Sequence, residues 1–389
     1  MGDDLKMKEF LSCIVRGNKL YFISEAELVL MRMDISSGEI EYIDNPYIFN
    51  STGNFRVRWK LADRMLSYNK NIYILECDGT RMIEYHVEKN TCRYFDINCS
   101  VYVCSNYAGF TIYKDKAYIF PSFLNELVVV DLISGEVERE EKICKDISYI
   151  PDLKKAIPHK LFSCGCRIEN SEWVFMEQNN EVIEYDLEKR YIQNHKIPKV
   201  IHGCVHAEWK DNMFYILDLE GKLYTWNVEN HDVEDWLLDT GRPYPNYREM
   251  VVTKKKIWIL PEIGEDILLI DKETRKSEKY YKYPSDFRYV APENYSKYYV
   301  HCEDKENYYF SMHSGNYLFC IEKESGKERW IKPYFTKIKK VIDYYKKNSM
   351  FISEGVYTLS NYMKFIIDDK SDINGQVSYI GEKIWKGMK

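Results

Sequence analysis

The chain has 389 residues and a formal net charge of -6. That mild acidity argues against an overall electrostatic attraction to nucleic acid or to anionic membranes. No apolar run reaches the length of a membrane span. Aromatics make up 15% of the chain, with 34 tyrosines, so strand-forming residues are plentiful while helix-favouring alanine is scarce.

The N-terminus, MGDDLKMKEFLSCIVRGNK, lacks a basic start followed by an apolar core, so no secretory signal is read there. The 11 cysteines are an odd number at irregular spacings. That fits reduced thiols in a cytoplasm better than a disulfide framework.

In chain order, the first unit reads FLSCIVR, KLYFIS, LVLMRMD and GEIEYID. The second reads ADRMLSY, NIYILEC, RMIEYHV and TCRYFDI. The third, from Gly109 to Lys142, is the most regular: GFTIYK, KAYIF, LVVVDL and EVEREEK, separated by short turns. Alternating or continuous apolar runs of this length, bounded by Pro, Gly, Asn and Ser, predict strands. Four more units follow the same order: LFSCGCR to RYIQNHK, GCVHAEW to VEDWLLD, REMVVTK to SEKYYKY, and KYYVHCE to KERWIKP.

One polar position closes the third strand of each unit: Asp34, His86, Asp131, Asp186, Asn227, Asp271 and Glu322, at steps of 52, 45, 55, 41, 44 and 51. Asp or Asn suits this place because its side chain can accept from the backbone N–H groups of the turn that follows.

Four-stranded units at a period of roughly 40 to 50 residues are the mark of a radial, closed architecture. The pattern resembles the β-propeller superfamily, in particular pyrroloquinoline-quinone-like or Kelch-like repeats. The ending SGKERW, Ser325 to Trp330, is similar to the close of the former. The resemblance covers about Phe10 to Tyr334, without the paired glycines of Kelch or the Trp-Asp ending of WD40. The expected fold is all-β: a seven-bladed β-propeller of four-stranded antiparallel blades over 10–335, after a tail of residues 1–9. Residues 336–389 then supply ring-closing strands and two short amphipathic helices, on the helical spacing of Leu359, Tyr362, Met363 and Ile366 and of Ile380, Ile384 and Trp385. These helices read as a cap, or else as a docking or oligomerisation element. An eighth blade over 336–367 is the alternative count.

The resemblance implies binding on the face where unit-to-unit connections and second-to-third-strand turns meet. Several connections there carry cations with aromatics, and the candidate ligand residues are Arg56, Arg58, Trp59, Lys160, Arg242, Arg248 and Arg288. Arg forks suit carboxylates or phosphates, and Trp suits sugar faces or protein hot spots. The competing view leaves these charges solvated. A second candidate is Cys164, Cys166, His202, Cys204 and His206, where a spacing of two puts side chains on one strand face. It reads first as core packing with no cofactor, and second as a zinc site. His301 and His313 have no carboxylate partner at a recognisable spacing, and Glu140 and Glu141 are expected to face water. Phosphate-binding and nucleophile-elbow motifs are missing.

Two functions follow. The first is a non-catalytic scaffold presenting its loop face to a protein, peptide or glycan partner. The second is an enzyme acting on a carbohydrate or other anionic small molecule at the channel mouth, with carboxylates converging from distant units.

Overall fold

The structure, a computed structural model, describes residues 10–24, 29–43, 62–76, 80–99, 107–144, 160–177, 180–236, 238, 247–261, 267–287, 298–312 and 317–335. Within them the chain forms seven sheets, each built from four consecutive antiparallel strands, and no helix. The seven first strands are Phe10–Arg16, Ala62–Tyr68, Tyr107–Tyr113, Phe162–Ile168, Cys204–Lys210, Tyr247–Val252 and Tyr298–Glu303. They touch one another in ring order, the last against the first. The fold is therefore the expected seven-bladed propeller.

The predicted turns form as their chemistry requires. Asp34, Asp131, Asp186, Asn227 and Asp271 each use Oδ1 to accept two backbone N–H groups, two and three residues on, at 2.8–3.3 Å. These bonds hold the Asp131, Asp186 and Asp271 carboxyls below the ordinary range. Asp34 is lowered to about 2, chiefly by its bond from Lys19. His86 cannot act this way, and Glu322 accepts instead from the Ser325 hydroxyl. Four residues beyond each closing position the backbone turns left-handed: Gly38, Asn90, Gly135, Arg190, His231, Arg275 and Gly326 all have positive φ. Four of the seven are not glycine, so the acceptor and the strand spacing set the turn more than the glycine does.

The core lies between blades. Each apolar cluster draws on two neighbours, as where Tyr73 and Leu75 of blade two meet Ile112 and Val130 of blade three. A feature not anticipated from the sequence recurs in all seven second strands: an aromatic at the third position, Tyr21, Tyr73, Tyr118, Trp173, Tyr215, Trp258 and Tyr309, every one buried. An aromatic there fills the wedge between radiating sheets with one side chain.

The ring is secured by a short fifth strand. Tyr334–Phe335 pairs in parallel with Glu39 and Ile40 on the outer edge of blade one, and the Tyr334 N–H donates to Gly38 O at 2.9 Å. Gly38 has φ +82°, and a Cβ there would collide with the Lys332 carbonyl. The predicted C-terminal helices and the eighth-blade alternative lie outside the described residues, as does the 1–9 tail.

Candidate functional site

In every blade the first strand carries a register shift near its start, leaving an extra residue before Cys13, Arg64, Gly109, Cys164, His206, Glu249 and Val300. A bulge bends the strand and re-aims the residues beside it. Because the blades are antiparallel, that end of each first strand is also where the unit-to-unit connection arrives. The backbone device is thus repeated seven times on the inner rim, next to the connection face.

The side chains on this rim are not repeated. Glu249 of blade six stands between His206 of blade five, at 3.4 Å from Nδ1, and His301 of blade seven, at 2.9 Å from Nδ1. The two imidazoles are 5.7 Å apart. Burial pushes His206 down to about 4, against the pull of Glu249. Burial also opposes charge on His301, but the hydrogen bond and charge of Glu249 outweigh it and raise His301 above its ordinary value. The trio therefore holds a neutral imidazole, a carboxylate and a readily protonated imidazole around one point. Arg64 of blade two donates to Tyr107 O through Nε and Nη2 at 3.3 and 3.2 Å, and its charge is felt at His206, Cys164 and Glu172.

Two further carboxyls sit deeper. Glu172 is 3% exposed, and its Oε1 is received by the bare backbones of Gly109 and Gly165, where a Cβ would lie 2.9 Å away. Its Oε2 has no hydrogen-bond partner among the described residues. Burial pushes this carboxyl up to about 7, with Arg167 and Arg64 pulling the other way. Glu208 is likewise driven by burial to about 7, although Tyr308 OH and the Val252 N–H both donate to it at 2.7 Å.

Of the residues singled out from the sequence, Arg56, Arg58, Trp59, Arg242 and Arg288 lie outside the described residues. Arg248 occupies the bulge of blade six. Lys160 precedes the first strand of blade four, where its backbone N–H donates to Glu177 at 2.7 Å. The Cys–His group divides in two. Cys164 and Cys204 meet, with Sγ atoms 3.5 Å apart, and Cys166 packs beside them in the same core cluster. His202 faces Glu220 at 3.8 Å, and His206 turns to Glu249. Among the described residues no group of three or more His, Cys, Asp and Glu is arranged to hold a metal ion.

Two expectations need correction. His301 does have a carboxylate partner, Glu249, which comes from the preceding blade 52 residues away. Glu140 is not simply solvated: it accepts from Tyr185 OH at 3.1 Å and pairs with Arg190 at 2.5 Å. Part of the signal for the rim trio was present in the aligned first strands, where one column reads Cys13, Arg64, Gly109, Cys164, His206, Glu249 and Val300 with no shared type, and His301 stands one position past it.

The class that this fold and rim define is a seven-bladed propeller with a polar inner edge. No protein-family model and no curated protein matches the sequence. Among solved structures, the chain is similar to streptogramin B lyase, with a TM-score of 0.55 and 12% identity over 80% of this chain and 92% of that one. It is similar to the extracellular domain of the hybrid two-component system BT4673 from B. thetaiotaomicron, at 0.56 and 11%, covering 83% of this chain and 43% of that one. PorZ, a bacterial surface component of the type-IX secretion system of Porphyromonas gingivalis, matches at 0.53 and 12% over 84% of this chain, which spans 38% of PorZ. At these identities the likeness is one of fold alone. Among the described residues no helix is long and apolar enough to cross a membrane.

Proposed function

We propose that the protein is a non-catalytic binding scaffold that presents its connection face, centred on the polar inner rim, to a protein, peptide or glycan partner. The observation that carries this reading is the convergence of Arg64, His206, Glu249 and His301, from four blades, at the rim nearest that face. A ring needs only apolar packing to close, so ionisable groups gathered there point to recognition. Loops on a rigid scaffold are a usual place for binding. A surface component of a secretion system and a sensor's extracellular domain share the fold and are compatible with such a role.

The test compares capture of partners from host lysate, and binding to a glycan array, by the wild type and two variants: Arg64→Ala/His301→Ala on the rim, and Arg56→Ala/Arg58→Ala/Trp59→Ala on the first connection. Thermal melts confirm folding. The expected result is loss of the same partner or glycan by both variants; equal recovery by all three forms rejects the face.

The second reading is an enzyme acting on a carbohydrate or other anionic small molecule. It is favoured by the His206–Glu249–His301 trio, because a carboxylate between two imidazoles of unequal basicity can hold and pass a proton near neutral pH. Turnover of an anionic substrate or glycoside by the wild type, abolished in Glu249→Gln, would move the assignment to this reading.

A further inference from the structure

We propose that Cys164 and Cys204 form a reversible redox pair that closes a disulfide between blades four and five. Their sulfurs, 3.5 Å apart, belong to the first strands of neighbouring blades. A disulfide requires about 2.0 Å, so closure brings the two sulfurs about 1.5 Å nearer. Both cysteines sit where that approach disturbs least. Cys164 immediately follows the bulge residue of its strand, and Cys204 immediately precedes that of its own. A bulge already leaves one residue out of the ladder, which gives the backbone local freedom. The buried Cys302 of blade seven is likewise influenced by the buried Cys13 of blade one, so cysteines neighbour one another at a second blade junction.

The pair also has an order of reaction. The two thiols lie within hydrogen-bonding reach, where either can donate, and the Ser163 hydroxyl lies 3.8 Å from the Cys164 sulfur. The bond with Cys204, helped by Ser163, outweighs burial and lowers Cys164, whereas burial first and then Cys164 raise Cys204, so Cys164 is the readier thiolate. Cys164 is also the less buried of the two, at 7% against 1% exposure. With hydrogen peroxide as oxidant, the Cys164 thiolate attacks one peroxide oxygen. The O–O bond breaks, leaving a sulfenic acid and hydroxide. Hydroxide takes up the Cys204 proton, the Cys204 sulfur attacks the sulfenic sulfur, and the S–O bond breaks as the S–S bond forms; the hydroxide that leaves takes up the proton Cys164 gave to solvent on ionising. Two thiols and one peroxide become one disulfide and two waters: the sulfurs lose two electrons and the peroxide gains them. A small dithiol reverses the change by exchange. The staple ties down the start of the strand that carries His206 two residues on, whatever the rim binds.

The experiment uses the folded full-length chain. It is treated with hydrogen peroxide beside reduced glutathione as a reactivity control. Remaining thiols are blocked in denaturant, and the protein is digested without reductant and mapped by mass spectrometry. The expected result is a Cys164–Cys204 linked peptide, lighter by two hydrogens, that dithiothreitol removes, together with a higher thermal midpoint. Cys164→Ala and Cys204→Ala each abolish both effects. If either variant fails to fold, the wild-type map decides alone. The proposal is overturned if both cysteines are recovered blocked while the glutathione has been oxidised, or if the native protein links other cysteines in their place.

Discussion

The outer turns and the inner rim of the ring repeat the same backbone seven times, and they use that repetition in opposite ways. At the outer turn, backbone and side chain recur together. An acceptor closes the third strand, two N–H groups meet it in five of the blades, and a left-handed residue follows in all seven. At the inner rim the bulge recurs in every blade, but the residues that follow it are Cys, Arg, Gly, Cys, His, Glu and Val. Repeated side chains mark what the fold needs from every blade. Repeated backbone with unlike side chains marks positions that the scaffold leaves open to other uses.

The largest effect should come from a shared packing position. Trp258 is 1% exposed and lies among Leu260, Tyr280 and Phe319. Trp258→Ala is expected to cost about 3–5 kcal/mol in denaturant unfolding; a loss below about 1 kcal/mol would break the claim that the recurring aromatic is structural. Next is Gly38→Ala, where a left-handed backbone and a collision with the Lys332 carbonyl coincide. A loss of about 1–3 kcal/mol is expected, with hydrogen exchange accelerated at the Tyr334 amide if the fifth strand is what Gly38 protects.

The two deeper carboxyls give a pH signature that no outer turn shares. Glu172 and Glu208 ionise near 7 when folded, against an ordinary value of 4.5. The folded state therefore holds their protons more tightly than the unfolded one, and stability is lost as pH rises from about 4.5 through 7. One such carboxyl contributes a slope approaching about 1.4 kcal/mol per pH unit across that window. His206, lowered to about 4 from 6.5, acts oppositely, losing stability as pH falls from 6.5 through 4. Glu172→Gln should thus gain on the wild type steadily between pH 5 and 7. Parallel stability curves for the two proteins would sink this assignment. The smallest effect is expected at the outer turn: Asp131→Ala removes the acceptor for Ile133 and Ser134 and should shift the thermal midpoint only slightly, because the turn is exposed and water replaces the lost partner.

The same contrast explains what was legible in the sequence. Strand order, the period and the acceptor at Asp131 and its counterparts could be read because they depend on near neighbours in the chain. The recurring aromatic was equally local, from Tyr21 to Tyr309, and becomes plain once the second strands are stacked in register. The His206–Glu249–His301 trio was not legible as a contact. Its members are 43 and 52 residues apart, and only ring closure brings them together. The Cys164–Cys204 approach was half visible as a cluster, but which of its five members meet depends on how two bulges aim their side chains.

On the proposed function, recognition belongs to the inner rim and not to the repeated outer turns. The most direct measurement is the dissociation constant for the captured partner or glycan, taken for wild type, Arg64→Ala/His301→Ala and Asp131→Ala at a temperature where all three are folded. At least a tenfold weakening, about 1.4 kcal/mol, is expected for the rim variant and none for the turn variant. Equal affinity for the rim variant and the wild type, or weakening by Asp131→Ala alone, would contradict it.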